Sequence, residues 1–217
     1  MRVYNFGEKN SILNHFVSEI RDEEIQKDRM RFRKNIERIG EVLAYEMSKE
    51  ILYTTQEIKT PLGVKKMSLP EKELVLCAVL RAGLPLYQGV LNYFDFAESS
   101  FISAYREHTN SDTDFEIITN YLATPSLEGK VLVIIDPMLA TGSTLETTYK
   151  ALQKQGKPKE IHIISVIGSA KGVAYVQDHF PAHTSLWIGA IDEELNNKGY
   201  IIPGLGDAGD LAYGSKL

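Results

Sequence analysis

Residues 131–144, VLVIIDPMLATGST, constrain the fold of this chain more than any other segment. An uninterrupted apolar run such as VLVII is typical of a strand buried on both faces, as in a parallel sheet, and hydroxyl residues around a glycine are typical of a helix start. Gly142 lets the backbone approach an anion closely, and the N–H groups of a first helical turn would point at it. The segment therefore predicts either an ordinary helix cap or a phosphate site.

Asp136 follows this strand directly, at the position where open α/β sheets bind their ligands. A carboxylate there can accept hydrogen bonds from sugar hydroxyls. The hydroxyls of Thr141, Ser143 and Thr144 can donate to a phosphate. These groups together favour a ribose 5-phosphate over a simple cap.

Four other apolar runs predict strands at residues 74–80, 101–105, 161–167 and 185–191. Helical patterns lie between most of them, which indicates an α/β fold with a mainly parallel sheet flanked by helices, in one domain over residues 1–217. FEIITNYL predicts one additional strand.

Three further segments have patterns of their own. Apolar residues three or four apart predict an amphipathic helix over residues 30–51. LYTTQEIKTPLGVKKM predicts a β-hairpin or flap around its Pro-Leu-Gly turn. The glycine-rich tail from residue 196 is too irregular for a helix and too apolar for disorder, so we expect an ordered loop.

Composition excludes several classes of protein. A net charge of −5 and a pI near 5.6 argue against a nucleic-acid binder, and the basic cluster KDRMRFRK is interpreted as a solvated face. No apolar run reaches the roughly 18 residues that span a bilayer, and the first residues lack an export signal.

The one cysteine, Cys77, lies within LVLCAVL, which predicts a buried thiol and a cytoplasmic protein. Pro181 separates His179 from His183, which disfavours a histidine metal site.

Two arginines follow predicted strands. Arg81 comes after LVLCAVL, and its permanently charged fork can bind two phosphate oxygens of a pyrophosphate. Arg106 follows FISAY and opens the polar loop EHTNSDTD, which has the composition of a mobile lid. Either arginine alone could be a surface charge, but both end strands beside a predicted phosphate loop.

These motifs resemble those of the uracil phosphoribosyltransferases. The resemblance rests on DPMLATG, LRAGL, the pair Tyr105 and Arg106, and GYIIPGLGDAGD, and it extends from the helix with IGEVLAYEMSKE almost to Leu217. It implies a phosphoribosyltransferase-like fold with a hairpin flap and a C-terminal base-binding loop. It also implies transfer of phosphoribose from 5-phosphoribosyl 1-diphosphate (PRPP) to uracil, giving UMP and diphosphate in pyrimidine salvage.

The resemblance also implies roles for single residues, with Arg81 and Asp207 in catalysis. The expected PRPP-binding residues are Arg81, Arg106, Asp136, Pro137, Met138, Leu139, Ala140, Thr141, Gly142, Ser143, Thr144 and Asp207, and the expected uracil-binding residues are Ile201, Gly206, Asp207 and Ala208. Because Pro137 rather than a second acid follows Asp136, Mg²⁺ would be held mainly through the diphosphate of PRPP, with no direct protein ligand. Related enzymes are commonly homodimers or larger and some respond to GTP, so a homo-oligomer and a GTP effector are expected partners.

Two alternatives remain open. One is a non-enzymatic sensor on the same fold, with KDRMRFRK as an RNA or protein contact, and the other is an enzyme for a different base, which GLGDAGD disfavours. The chain also departs from the family at Ser143, where glycine is usual, in the loop after Arg106 and in IGSAKG. A side chain at position 143 is tolerated only if that residue needs no positive φ.

Overall fold

The structure is a computed structural model that describes residues 1–108 and 115–216, without side-chain detail at residues 104–108 and 115–120. Its helices are α1 (Ile12–Arg21), α2 (Arg29–Ser48), α3 (Gly83–Leu91), α4 (Ser143–Leu152), α5 (Ala170–His179) and α6 (Ala208–Tyr213). Its strands are β1 (Arg2–Asn5), β2 (Tyr53–Thr60), β3 (Gly63–Pro70), β4 (Leu74–Leu80), β5 (Glu98–His108), β6 (Phe115–Ala123), β7 (Val131–Ile135), β8 (Met138–Leu139), β9 (Glu160–Ser169), β10 (Thr184–Asp192), β11 (Glu194–Leu195) and β12 (Ile201–Ile202).

The described strands form one large sheet in the order β1, β10, β9, β7, β4, β5, β6, with β8 beside β9. Every neighbouring pair is parallel except β5 and β6, which are antiparallel. Strands β4 and β7 are neighbours, with Ala78 opposite Ile135, so their carboxyl ends lie side by side. The predicted, mainly parallel sheet flanked by helices is confirmed.

The central strands are buried on both faces, as their unbroken apolar runs predict. In β4, Leu76 and Ala78 belong to the core under α2 and α3, whereas Cys77 and Val79 belong to the core under α4 and α5. Burial raises the pKa of Cys77 to about 12. The thiol is therefore protonated and unreactive, which confirms the prediction that it is structural.

The predicted strands are all present, and differences are concentrated at their ends and in the tail. The prediction that a strand ends at Tyr105 is wrong, because β5 continues to His108 and Arg106 lies within it. The tail was expected to be a loop, but it contains β12 and α6. Helix α6 forms because it packs on α2, where Ala212 is fully buried and its carbonyl accepts a 2.7 Å hydrogen bond from Arg33 Nη1.

Part of the basic cluster on α2 also makes structural contacts. Arg31 is exposed, as the interpretation as a solvated face predicts, whereas Arg33 is partly buried and contacts α6. The Arg31 guanidinium donates to Glu19 of α1, a carboxylate that is only 7% exposed. Asn35 Nδ2 donates to the same carboxylate at 2.6 Å. These contacts fix α1 against α2.

The predicted hairpin is formed by β2 and β3, which pair antiparallel and form a sheet of their own. Its surface is largely exposed, including Val64, Met67 and the completely exposed Leu62 at its turn. None of the helices in the described ranges is long and apolar enough to cross a membrane.

Candidate functional site

We use the name β7–α4 loop for residues 136–144, which include the short strand β8 and the first two residues of α4. Strand β9 holds this segment in place. The carbonyl of Pro137 accepts from the N–H groups of Val166 and Ile167, both at 3.1 Å. The carbonyl of Ala140 accepts a 2.6 Å hydrogen bond from Ser169 Oγ. Because these contacts use the backbone of the loop, its path is set largely independently of its side chains.

Asp136 lies at the carboxyl edge of the sheet, as its position after β7 predicts. The residue is 8% exposed, and its Oδ1 accepts a 3.2 Å hydrogen bond from the N–H of Met138. Its carbonyl accepts from Ser165 Oγ at 2.7 Å. Leu139, which was also predicted to bind PRPP, has its side chain in the core, so only its backbone can contribute to a site.

Gly142 and Ser143 form the turn into α4. Gly142 has a φ of +84° and is the N-cap residue, so no side chain caps the helix, and a Cβ there would lie 2.6 Å from Tyr175 Cδ1. Ser143 is the first residue of α4, and no described residue other than glycine has a positive φ. The hydroxyls of Thr141 and Ser143 lie 2.6 Å apart and hydrogen-bond to each other. Position 143 therefore accepts a side chain, and the helix start remains open to an anion.

The segment IGSAKG, which departs from the family pattern, supports this loop, a role that we did not predict. Besides contacting Ala140, Ser169 Oγ caps α5 by accepting from Gly172 N at 2.8 Å. Tyr175, on the same helix, packs against Gly142 and donates to Glu146 Oε2 at 2.6 Å. A serine three residues before a glycine, directly after a strand, was the available signal for the cap.

Arg81 directly follows β4, beside the strand that leads into the β7–α4 loop, and its peptide bond to Leu80 is cis. Its Nη2 donates to Asp210 Oδ1 at 2.8 Å, and its Nη1 donates to the carbonyl of Gly214 at 3.1 Å. Its Nε is buried and has no hydrogen-bond partner among the described residues. The guanidinium is thus held by the C-terminal helix, and sequence reasoning missed Asp210 as its partner.

The β12–α6 loop, residues 201–208, presents mainly backbone. The side chains of Ile201 and Ala208 are buried in the core, whereas Gly206 is exposed with a φ of +93°. Asp207 is half-buried, and its Oδ1 caps α6 by accepting from Asp210 N at 3.0 Å. Gly206 and Asp207 line an open cleft of about 460 Å³ together with residues from the turn after α1.

Two predicted features cannot be placed. The side chain of Arg106 and the polar loop at residues 109–114 lie outside the described residues. Among the residues that are described, no group of three or more histidine, cysteine, aspartate or glutamate side chains is arranged to bind a metal ion.

Comparison with known proteins adds independent evidence. A family model described as uracil phosphoribosyltransferase matches residues 8–215. The chain is 52% identical to a uracil phosphoribosyltransferase of Porphyromonas gingivalis over the whole length of both proteins. It is 36% identical to one of Thermococcus gammatolerans, covering 99% of this chain and 94% of that protein. The solved structure of the AQ2163 protein from Aquifex aeolicus has a TM-score of 0.87 at 32% identity and covers 98% of each chain.

Proposed function

The chain belongs to the uracil phosphoribosyltransferase family and transfers phosphoribose from PRPP to uracil, and we propose that the β7–α4 loop, Arg81 and the β12–α6 loop carry out this reaction. The products are UMP and diphosphate, and the enzyme serves pyrimidine salvage. The position of Arg81 is the observation that carries the assignment of residues. Arg81 directly follows β4, the strand beside β7, and its guanidinium contacts the helix that follows the β12–α6 loop. Because the diphosphate and the base are both bonded to the anomeric carbon in the course of the reaction, a group that binds the diphosphate of PRPP would have to lie close to both loops.

The β7–α4 loop would bind the ribose 5-phosphate of PRPP. The uncapped N–H groups at the start of α4 favour an anion, and Thr141, Ser143 and Thr144 add hydroxyl donors. Asp136, at the end of β7, would accept hydrogen bonds from the ribose hydroxyls. Arg106 remains proposed as a second ligand of the diphosphate.

The β12–α6 loop would bind uracil through its backbone at Ile201, Gly206, Asp207 and Ala208. Uracil presents an acceptor, a donor and an acceptor along one edge, which backbone N–H and C=O groups can match without side chains. Cytosine has an amino group in place of one acceptor. A mismatch would leave buried groups unpaired at a cost of about 1 to 3 kcal/mol each, which explains selection for uracil.

Departure of diphosphate leaves positive charge on the anomeric carbon of the ribose. Arg81 would neutralise the leaving group, and the two loops would place N1 of uracil beside that carbon, so catalysis comes from electrostatics and proximity. The Asp207 carboxylate is available to orient the donor and to stabilise the cationic centre. Asp207 would keep its capping contact with α6 while doing so.

Mg²⁺ fits this site as an ion carried largely by PRPP. The described residues contain no cluster of acidic side chains, and Mg²⁺ keeps several waters and prefers substrate phosphates to an all-protein cage. When bound, the ion would supply positive charge to the diphosphate. The diphosphate oxygens and water would hold the ion, and no protein side chain is proposed as a direct ligand.

The assembly and surroundings of the enzyme are also part of the proposal. An isolated two-stranded hairpin is marginally stable in water, and the exposed Leu62, Val64 and Met67 of β2 and β3 favour burial against a second copy in a homodimer or larger oligomer. The buried, unpaired Cys77 suits the reducing cytoplasm. GTP is proposed as an effector on the strength of the family resemblance alone.

One assay tests the reaction and its specificity. Purified protein would be mixed with Mg²⁺, PRPP and, in turn, uracil, cytosine, hypoxanthine or orotate, while diphosphate release is followed. We expect release with uracil only. Absence of uracil-dependent release across a range of pH, with GTP present, would overturn the function.

A further inference from the structure

We propose that Arg21 and Asp192 are positioning residues that hold the β12–α6 loop in the shape that receives uracil. Neither residue belongs to the loop, since Arg21 ends α1 and Asp192 ends β10. The proposal rests on the proposed function of the loop and adds to it the residues that determine its geometry.

The contacts converge on one residue of the loop, Gly204. Arg21 donates from Nη1 to Asp192 Oδ2 at 2.7 Å and from Nη2 to Oδ1 at 2.8 Å, which is a bidentate pair. Arg21 Nη1 also donates to the carbonyl of Gly204 at 3.0 Å. Asp192 Oδ2 accepts from the N–H of Gly204 at 3.0 Å. Both backbone groups of Gly204 are therefore bound by the same ion pair.

Only glycine fits the backbone conformation at position 204. Its φ is +59°, and a Cβ there would lie 2.1 Å from the carbonyl oxygen of Ile201. The chain thus turns back tightly between Ile201 and Gly206, two of the proposed uracil-binding positions. Because the turn is bound through both its N–H and its C=O, its neighbours on either side are fixed in direction.

The pair is also protected from solvent. The side chain of Asp192 is only 10% exposed and that of Arg21 is 22% exposed. Burial alone would raise the pKa of Asp192, but the hydrogen bonds and charge of Arg21 and the Gly204 N–H lower it below its ordinary value. The carboxylate is therefore charged at neutral pH, and removing its partner would leave a largely buried charge unpaired.

Loss of a purely structural ion pair should lower only the stability of the fold, whereas loss of a positioning pair should also change the binding of uracil. The control is Glu19→Gln, which breaks another buried pair on the same helix α1, two residues before Arg21, without contact to the loop. The test variants are Asp192→Asn, which keeps an acceptor for Gly204 but loses the charge, and Arg21→Lys, which keeps the charge but loses the fork. Arg21→Lys keeps a cation at the end of α1, so it should fold even if Asp192→Asn does not.

Two measurements would be made on each full-length variant. In steady-state kinetics, we expect KM for uracil to rise at least tenfold in Asp192→Asn and about threefold in Arg21→Lys, while KM for PRPP changes less than twofold. In hydrogen–deuterium exchange of the free protein, amides of residues 204–208 should exchange at least tenfold faster in Asp192→Asn, and those of residues 136–144 should not change. Glu19→Gln should lower the melting temperature without either effect.

The outcomes separate this proposal from the proposed function. If the unaltered protein shows no uracil-dependent diphosphate release, the function fails, while the exchange data still report whether the pair holds the loop. If the unaltered protein is active and folded Arg21→Lys and Asp192→Asn match it in KM for uracil and in exchange, the positioning role is overturned. An equal rise in both KM values would also contradict it, because that result indicates a general structural effect.

Discussion

The two loops of the site are held in different ways. The β7–α4 loop is held by β9, through backbone and hydroxyl contacts from Val166, Ile167 and Ser169. The β12–α6 loop is held by charged groups far apart in sequence, since Arg21 and Asp192 are 171 positions apart and Arg81 and Asp210 are 129 positions apart. Each loop could be located from its own short motif, but the groups that support it become visible only in the fold, and this holds most of all for the charged supports of the second loop.

The largest expected effect concerns Asp207 of the β12–α6 loop, which caps α6 and to which we assign a second, catalytic role. Asp207→Asn keeps an oxygen that can cap α6, so the free energy of unfolding should change by less than about 1 kcal/mol. In the proposed site this variant loses the charge that would lie near the anomeric carbon, so kcat should fall by about a hundredfold or more. Unchanged turnover in steady-state assays would remove Asp207 from the catalytic machinery.

In the β7–α4 loop, the most damaging change should be a side chain added where the backbone packs closely against a neighbour. Gly142→Ala adds a Cβ at φ +84° and 2.6 Å from Tyr175, so we expect about 2 to 4 kcal/mol loss of stability and at least about a tenfold rise in KM for PRPP. Gly129→Ala is the matched control, because Gly129 has a φ of +70° but open space around it. It should lose only about 1 kcal/mol in urea unfolding. Equal losses in the two variants would mean that contact with Tyr175 is unimportant.

The stability contributed by α1 should be sensitive to acid, because α1 is held to α2 by the charged carboxylate of Glu19. Hydrogen bonds from Arg31 and then Asn35 lower the pKa of Glu19 from 4.5 to about 2, so its stabilisation is complete above pH 4.5 and is lost as the pH falls towards 2. Glu19→Gln should lower stability at pH 7 by about 1 to 3 kcal/mol and flatten the fall in stability between pH 4.5 and 2.

Urea unfolding at several pH values would measure this effect. The control is Glu57→Gln on the hairpin, where the ion pair with Lys66 is exposed and long at 3.9 Å. That variant should follow the unaltered protein at every pH. If the free energy of unfolding depended on pH equally in Glu19→Gln and in the unaltered protein, the pKa of Glu19 would not be lowered by folding.

The smallest expected effect concerns the departure from the family pattern at position 143. Ser143 is helical and contacts the loop through its hydrogen bond with the Thr141 hydroxyl, so Ser143→Gly should cost about 0.5 to 1 kcal/mol and change KM for PRPP less than about threefold. A tenfold gain in donor affinity would show instead that the serine obstructs the phosphate.

Sequence predicts the parts of this molecule that depend on short segments. VLVII, LVLCAVL and the turn at Gly142 each act within a few residues, so the sheet, the open helix start and Asp136 at its edge could be located. Helix α6 could not, because a six-residue helix forms only where α2 supplies a surface and Arg33 binds its last turn. Asp192 and Arg21 could not be paired, since nothing local to either residue indicates the other.

In the proposed site Arg81 belongs to both halves, and this has a thermodynamic consequence. Its guanidinium is already bound by Asp210 and Gly214 of the C-terminal segment, so a diphosphate that takes over the fork must alter the helix next to the base loop. The two substrates then cannot bind independently. Linkage requires that the factor by which PRPP changes the affinity for uracil equal the factor by which uracil changes the affinity for PRPP. A single arginine would thus make donor and acceptor reciprocal effectors of each other.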